Sequence, residues 1–333
     1  MNKKGSCIEQ ATNHSYLLSK RLANAEFMVQ LMMKEVNFME INGIITAMVT
    51  PMSENEKINV QGTKDLINRL ISKKVDGLFI LGTNGEFHTL SNQEKIDFAT
   101  LVIETVNHRV PVYVGTGGNS TKEVIELSKI MESLGADALS VITPYFLTVS
   151  EQELLHHYRS IAESVNIPII LYNIPENTGI NLHPELVKKL AKIPNIQGIK
   201  DSSGKIENIK RYLEETRGQD FSVLVGSDSK IYEALKLGAH GAIAATANVI
   251  TENDVNIYQY FKSREFAKAE KCQEDVNVLR KVLHKATTPA VLKAAVNLLG
   301  IEAGSPRLPV AKCKPEVVDE MKQCLDYFNL EHK

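Results

Sequence analysis

The chain has few cysteines and spreads them out: Cys7, Cys272, Cys313 and Cys324 form no C-x-x-C pair and have no histidine at ligand spacing. That pattern excludes a disulfide scaffold and argues against zinc, so no metal is expected and a reducing cytoplasm fits best. Also missing is the run of roughly 20 apolar residues that a spanning helix needs, because Lys, Glu, Asn or Gly interrupts every apolar segment. The basic opening MNKKGSC lacks the apolar stretch of about 7–15 residues that marks a signal peptide, so secretion and lipoprotein processing are disfavoured. Charge excess is absent as well. With 38 Lys+Arg against 40 Asp+Glu and a net charge of -2, nothing draws the chain to nucleic acid or to an anionic membrane.

The 333 residues are 43% hydrophobic, enough for a large core without disulfides or a structural metal. Residues 1–38 read as an N-terminal extension, helical or disordered, with apolar residues from Leu17 to Met33 at loosely helical spacing and Met39 as an alternative start. After Met39, short apolar runs alternate with amphipathic stretches. This is the pattern of parallel strands joined by crossover helices. Eight strands are expected: Gly43–Val49, Gly77–Leu81, Val110–Val114, Ala138–Ile142, Pro168–Tyr172, Gln197–Lys200, Ser222–Val225 and Gly241–Ala245. Between consecutive strands lies enough chain for one helix and two loops, and eight such units close a barrel. The expected fold is therefore α/β: a (β/α)8 TIM barrel over residues 39–250. A C-terminal helical region over 251–333 packs on it, with helices near Glu252–Lys262, Arg264–His284 and Pro289–Leu299.

In such a barrel, chemistry gathers at the carboxyl ends of the strands. The second strand runs into Gly82-Thr83-Asn84-Gly85-Glu86, where two glycines let backbone N–H groups approach a small anion such as a carboxylate, although an ordinary turn uses the same residues. The fifth ends in Leu171-Tyr172-Asn173-Ile174-Pro175, which can point a phenol into the barrel mouth. The sixth ends in Gly198-Ile199-Lys200-Asp201. A lysine on an inward-facing apolar strand loses its hydration, and a neutral amine is the nucleophile that attacks a ketone to form an iminium. The competing reading is a structural Lys200 paired with Asp201 or another carboxylate. Small residues after the last two strands, Gly226 among them, leave room over the barrel centre. Gly115-Thr116-Gly117-Gly118-Asn119 lacks the ending of a P-loop and the spacing of a dinucleotide fingerprint, so no nucleotide is expected. His156 and His157 are adjacent on a helix and read as surface residues rather than metal ligands.

Taken together these motifs resemble the Schiff-base lyase family that includes dihydrodipicolinate synthase and N-acetylneuraminate lyase, from about Ile41 to the C-terminal helices. The carrying residues are Gly82–Glu86, Thr143-Pro144-Tyr145, Tyr172-Asn173-Ile174-Pro175 with Thr178-Gly179, and Gly198–Asp201, in family order. The resemblance implies that Lys200 forms the Schiff base, that Tyr172 donates and accepts protons, and that Thr83 relays them. It also implies that Thr83 and Asn84 bind the carboxylate of a 2-oxo acid, helped by the backbone near Ile243 and by the space at Gly226. No cofactor is implied, and a homo-oligomer, dimer or tetramer, is expected.

Departures from the family pattern bear on the second substrate, whose possible contacts are Tyr145, Phe146 and Asn177. Dihydrodipicolinate synthases carry a second relay tyrosine where this chain has Phe146, which cannot relay a proton. Where they carry an arginine for the second substrate's carboxylate, this chain has Asn177. Their lysine-feedback site is half present: Asn119, Glu123 and Tyr145 match, whereas Asn92 and Lys95 replace histidines. The expected activity is an aldolase that cleaves a 4-hydroxy-2-oxo acid, such as 4-hydroxy-2-oxoglutarate or a 2-oxo-3-deoxy sugar acid, to pyruvate and an aldehyde. The alternatives are 4-hydroxy-tetrahydrodipicolinate synthase and, from another class, a non-catalytic binding or regulatory barrel.

Overall fold

Eight strands hydrogen-bond in chain order and the last returns to the first, closing a parallel barrel in the computed structural model, which describes residues 38–332. The strands are β1 Gly43–Ala47, β2 Gly77–Ile80, β3 Val112–Gly115, β4 Ala138–Ile142, β5 Ile169–Asn173, β6 Ile196–Asp201, β7 Ser222–Val225 and β8 Gly241–Ala244. Every residue in them is buried, as a sheet covered by helices on one side and filled with side chains on the other requires. Two strands start later than the sequence suggests. Pro111 and Pro168 have no N–H to give the ladder, and each contributes only its carbonyl, to Leu78 N and Leu139 N respectively.

Period-two alternation fixes which residues fill the barrel. Ile45, Ala47, Phe79, Tyr113, Ala138, Ile142, Ile170, Tyr172, Leu224 and Ile243 belong to one buried cluster. The covering helices begin with polar caps written in the sequence. Ser91 and Ser150 form capping boxes with Glu94 and Glu153, and Asn59 and Ser120 accept from the first turn of their helices.

At the carboxyl end, buried polar side chains stitch one strand exit to the next. Asn248 accepts from Val49 N at 3.2 Å and donates to Ala47 O at 2.9 Å, joining the exits of β8 and β1. Asp228 accepts from Ala245 N and Thr246 N, joining β7 to β8. Asn173 donates to Asp201 at 2.7 Å, joining β5 to β6. The strand ends are thus held as a rim rather than as separate loops.

Beyond β8 the described chain is helical: Thr251–Lys262, Phe266–Leu283, Ala290–Leu298 and Pro315–Tyr327. The last of these goes beyond the three helices expected; it begins with Pro315 in its first turn and buries Met321 and Leu325 one turn apart. Gln273 donates to Asp228 O and accepts from Tyr232 N, so this region packs on the barrel. The expected helix between Leu17 and Met33 lies outside the described residues. Among the described residues, no helix is long and apolar enough to cross a membrane.

Candidate active site

Lys200 and Tyr172 are direct register partners on β6 and β5, so both side chains leave the sheet on the same, inward face. Lys200 is 4% exposed. Its Nζ lies 4.2 Å from the centroid of the Tyr172 ring and 4.6 Å from that of Phe79. The two rings meet edge to face, with centroids 6.1 Å apart. The amine therefore sits in an aromatic angle built by β2 and β5.

The structural pairing of Lys200 with Asp201 does not occur, because neighbours on a strand point to opposite faces. Asp201 turns outward, toward the helix Ile206–Glu215, and accepts from Asn173 and from Ser203 Oγ at 2.6 Å. Burial raises the Asp201 carboxyl above its ordinary pKa, and the hydrogen bonds from Ser203, Asn173 and Asn208 oppose that shift. Among the described residues no cluster of His, Cys, Asp or Glu is placed to hold a metal ion.

The Tyr172 hydroxyl and Thr83 Oγ1 share a hydrogen bond of 3.1 Å across the barrel mouth. Thr83 comes from the loop after β2, whose backbone is left-handed at Leu81 (φ 55°) and again at Glu86 (φ 57°). Gly82 is required between them, since a Cβ there would stand 2.5 Å from the Phe79 ring. Gly226 is required for a similar reason: its Cβ would meet Ser202 Oγ at 2.1 Å and Lys200 Cε at 2.9 Å. Ile243 is buried on β8 beside this space.

Beside Thr83 opens a pocket of about 240 Å³ lined by Phe87, His88, Ile142, Tyr145, Asn177 and Thr178. Tyr145 and Asn177 thus meet Thr83 there. Phe146 does not line the pocket: it is 92% exposed, with φ 78°. His88, which the sequence reading passed over, lies on the single helical turn Phe87–Thr89.

At the half-matching feedback positions, Asn119 accepts from Tyr145 N at 2.8 Å, and Lys95 Nζ lies 5.9 Å from the centre of the Phe87 ring. Burial lowers the Lys95 pKa while Glu123 counteracts it. One sequence expectation is corrected outright: His157 is not a surface residue. It lies on the buried face of its helix with Leu154, Tyr158 and Ile161, and its Nδ1 is 2.8 Å from Thr121 Oγ1.

Comparison with known proteins shows the family of the chain. The dihydrodipicolinate synthetase family model matches residues 40–327. The chain is similar to 4-hydroxy-tetrahydrodipicolinate synthase 1 of Halalkalibacterium halodurans, 38% identical over 285 residues, covering 86% of this chain and 95% of that one. Among solved structures it resembles a prophage protein of E. coli in the dihydrodipicolinic acid synthase family, solved in complex with pyruvate. The identity is 34%, the TM-score 0.84, and the coverage 87% of this chain and 99% of that one. It also resembles dihydrodipicolinate synthase from Aquifex aeolicus, at 30% identity and a TM-score of 0.85, covering 88% and 100% of the two chains.

Proposed function

The chain belongs to the dihydrodipicolinate synthetase family and is a Schiff-base lyase, and from that premise we propose that it is an aldolase cleaving 4-hydroxy-2-oxo acids to pyruvate and an aldehyde. Lys200 Nζ attacks C2 of the substrate, and loss of water leaves an iminium. Thr83 and Asn84 hold the substrate carboxylate. A base assisted by Tyr172, which is hydrogen-bonded to Thr83, takes the proton of the 4-hydroxyl. The C3–C4 bond then breaks, its electron pair flows into the iminium to give an enamine, and the aldehyde leaves. Protonation of C3 and addition of water release pyruvate and the free amine.

The observation that carries this reading is the lining of the pocket beside Thr83. It offers the amide of Asn177, the phenol of Tyr145 and the imidazole of His88, and no guanidinium to clamp a second carboxylate. Hydroxylated aldehydes suit such a lining. The matched relatives favour a second reading, because the Halalkalibacterium halodurans protein and a Methanopyrus kandleri protein 37% identical to this chain are both 4-hydroxy-tetrahydrodipicolinate synthases. In that reading the same enamine condenses with aspartate semialdehyde.

A substrate panel decides between the two. Cleavage of 2-oxo-3-deoxy sugar acids or 4-hydroxy-2-oxoglutarate, at rates of about 1–1000 per second, is the expected result. Comparable turnover of pyruvate with aspartate semialdehyde, without cleavage, establishes the synthase instead. We further propose a homo-oligomer, with the exposed Phe146 and Leu147 available to a second copy, and a cytoplasmic setting, in keeping with the free thiols of Cys272, Cys313 and Cys324.

A further inference from the structure

Lys293 lies on the C-terminal helix Ala290–Leu298 and is wholly withdrawn from solvent, at 0% exposure. Its Nζ donates to Glu86 Oε1 at 2.9 Å and to Ser305 O at 2.8 Å. Glu86 is itself 1% exposed, and its other oxygen accepts from Arg307 N at 2.8 Å. The Arg307 guanidinium reaches onward to Thr89 O, Glu56 O and the carboxylate of Glu94. A strap formed by residues 302–308 therefore crosses the loop after β2 and is fastened to it at Glu86.

A buried ion pair is a poor way to add stability, since desolvating both charges offsets most of their attraction, and a packed apolar pair would hold the two regions as well. What the pair supplies is direction. Bonding both carboxylate oxygens fixes where the Glu86 side chain points and so fixes its left-handed backbone. Glu86 N donates to Thr83 O at 3.1 Å, and Gly85 O accepts from Thr50 Oγ1 at 2.7 Å. The loop between Leu81 and Glu86 is conformationally costly at both ends and needs surroundings that enforce it.

We propose that Lys293, through Glu86, is a positioning residue for recognition of the substrate carboxylate: it holds the Thr83–Asn84 turn in the shape that receives that group. This inference rests on the reading of Thr83 and Asn84 given above. Lys293 touches neither the substrate nor the reacting atoms, and its effect should depend on whether the ketone carries a carboxylate. A purely structural role predicts no such dependence.

The test is trapping of the iminium by borohydride with two ketones: pyruvate, and hydroxyacetone, which lacks the carboxylate. In Lys293→Met, and in the size-matched Glu86→Gln should the first fail to fold, the pyruvate concentration for half-maximal trapping is expected to rise about tenfold or more. Hydroxyacetone trapping should stay within about twofold of wild type, and Lys293→Arg should recover part of the loss. An equal loss for both ketones, or none for pyruvate in a folded variant, overturns the inference while leaving the Schiff-base reading intact. Wild-type protein that traps neither ketone on Lys200 overturns that reading and this inference with it.

Discussion

Lys200 and Tyr172 are side-by-side register partners on parallel strands, and the amine of one lies 4.2 Å from the ring centroid of the other. The Tyr172 hydroxyl extends beyond its ring to Thr83, so one side chain both lines the amine and reaches the proposed proton path. Tyr172→Phe keeps the ring and removes the path. Turnover is expected to fall about 100-fold or more while the melting temperature changes little, measured by steady-state assay and thermal unfolding. Turnover within a factor of two of wild type would remove Tyr172 from the mechanism.

Phe79 forms the other wall. An iminium carries positive charge on the nitrogen that Lys200 supplies, and an aromatic face near that nitrogen favours the cation by about 0.5–2 kcal/mol. Phe79→Leu retains most of the apolar bulk and loses the face. The fraction of enzyme held as iminium at a fixed subsaturating pyruvate concentration should drop between about twofold and thirtyfold, as read by borohydride trapping and mass spectrometry. No change in that fraction would mean that Phe79 is packing only.

Asn177 lines the pocket beside Thr83, and the sequence resemblance implies that it replaces an arginine of the synthases. Restoring a guanidinium by Asn177→Arg should raise turnover with aspartate semialdehyde, relative to a hydroxylated neutral aldehyde, by about tenfold or more. Competition assays with both aldehydes measure the ratio directly. A ratio unchanged in a folded variant would show that position 177 does not select the second substrate.

His157 gives a dependence of stability on pH. Burial, reinforced by the neighbouring His156, pushes its pKa down from 6.5 to about 4. At pH 7 the ring is neutral in the folded chain and mostly neutral in the unfolded one, so it contributes little to the difference. As pH falls below 6.5 the unfolded chain takes up a proton that the folded chain refuses until near 4, so stability is lost across that window, by about 3 kcal/mol at most. His157→Gln should flatten this part of the profile, and urea midpoints for the two proteins, measured from pH 7 down to pH 4, should converge or cross. Parallel profiles would show that His157 does not drive the acid loss.

How far the sequence could be read depended on the range of each signal. Strand positions were legible to within one or two residues because a barrel strand is buried on both faces and appears as an unbroken apolar run. The differences at Val110 and Pro168 trace to prolines that lack an N–H. The placement of Lys200, Tyr172 and Thr83 at the barrel mouth was legible because they follow such runs, at the end where a barrel keeps its open space. The helix Pro315–Tyr327 was passed over although Pro315 and the spacing of Met321 and Leu325 mark it. His157 was misjudged by its adjacency to His156, whereas its spacing from Leu154 and Ile161 places it on the buried face. The bond between Glu86 and Lys293 was illegible for a different reason: 207 residues separate the partners, and no local pattern spans that distance.

That separation also sets an order in time. A ribosome delivers the loop after β2 before Lys200, and Lys200 before Lys293 and Arg307. A nascent chain therefore exposes its amine before the strap that fastens Glu86 has been made. Lys200 and the loop after β2 are thus both made before the bond between Lys293 and Glu86 can form, and the fastening of that loop is a later event in the building of the barrel mouth.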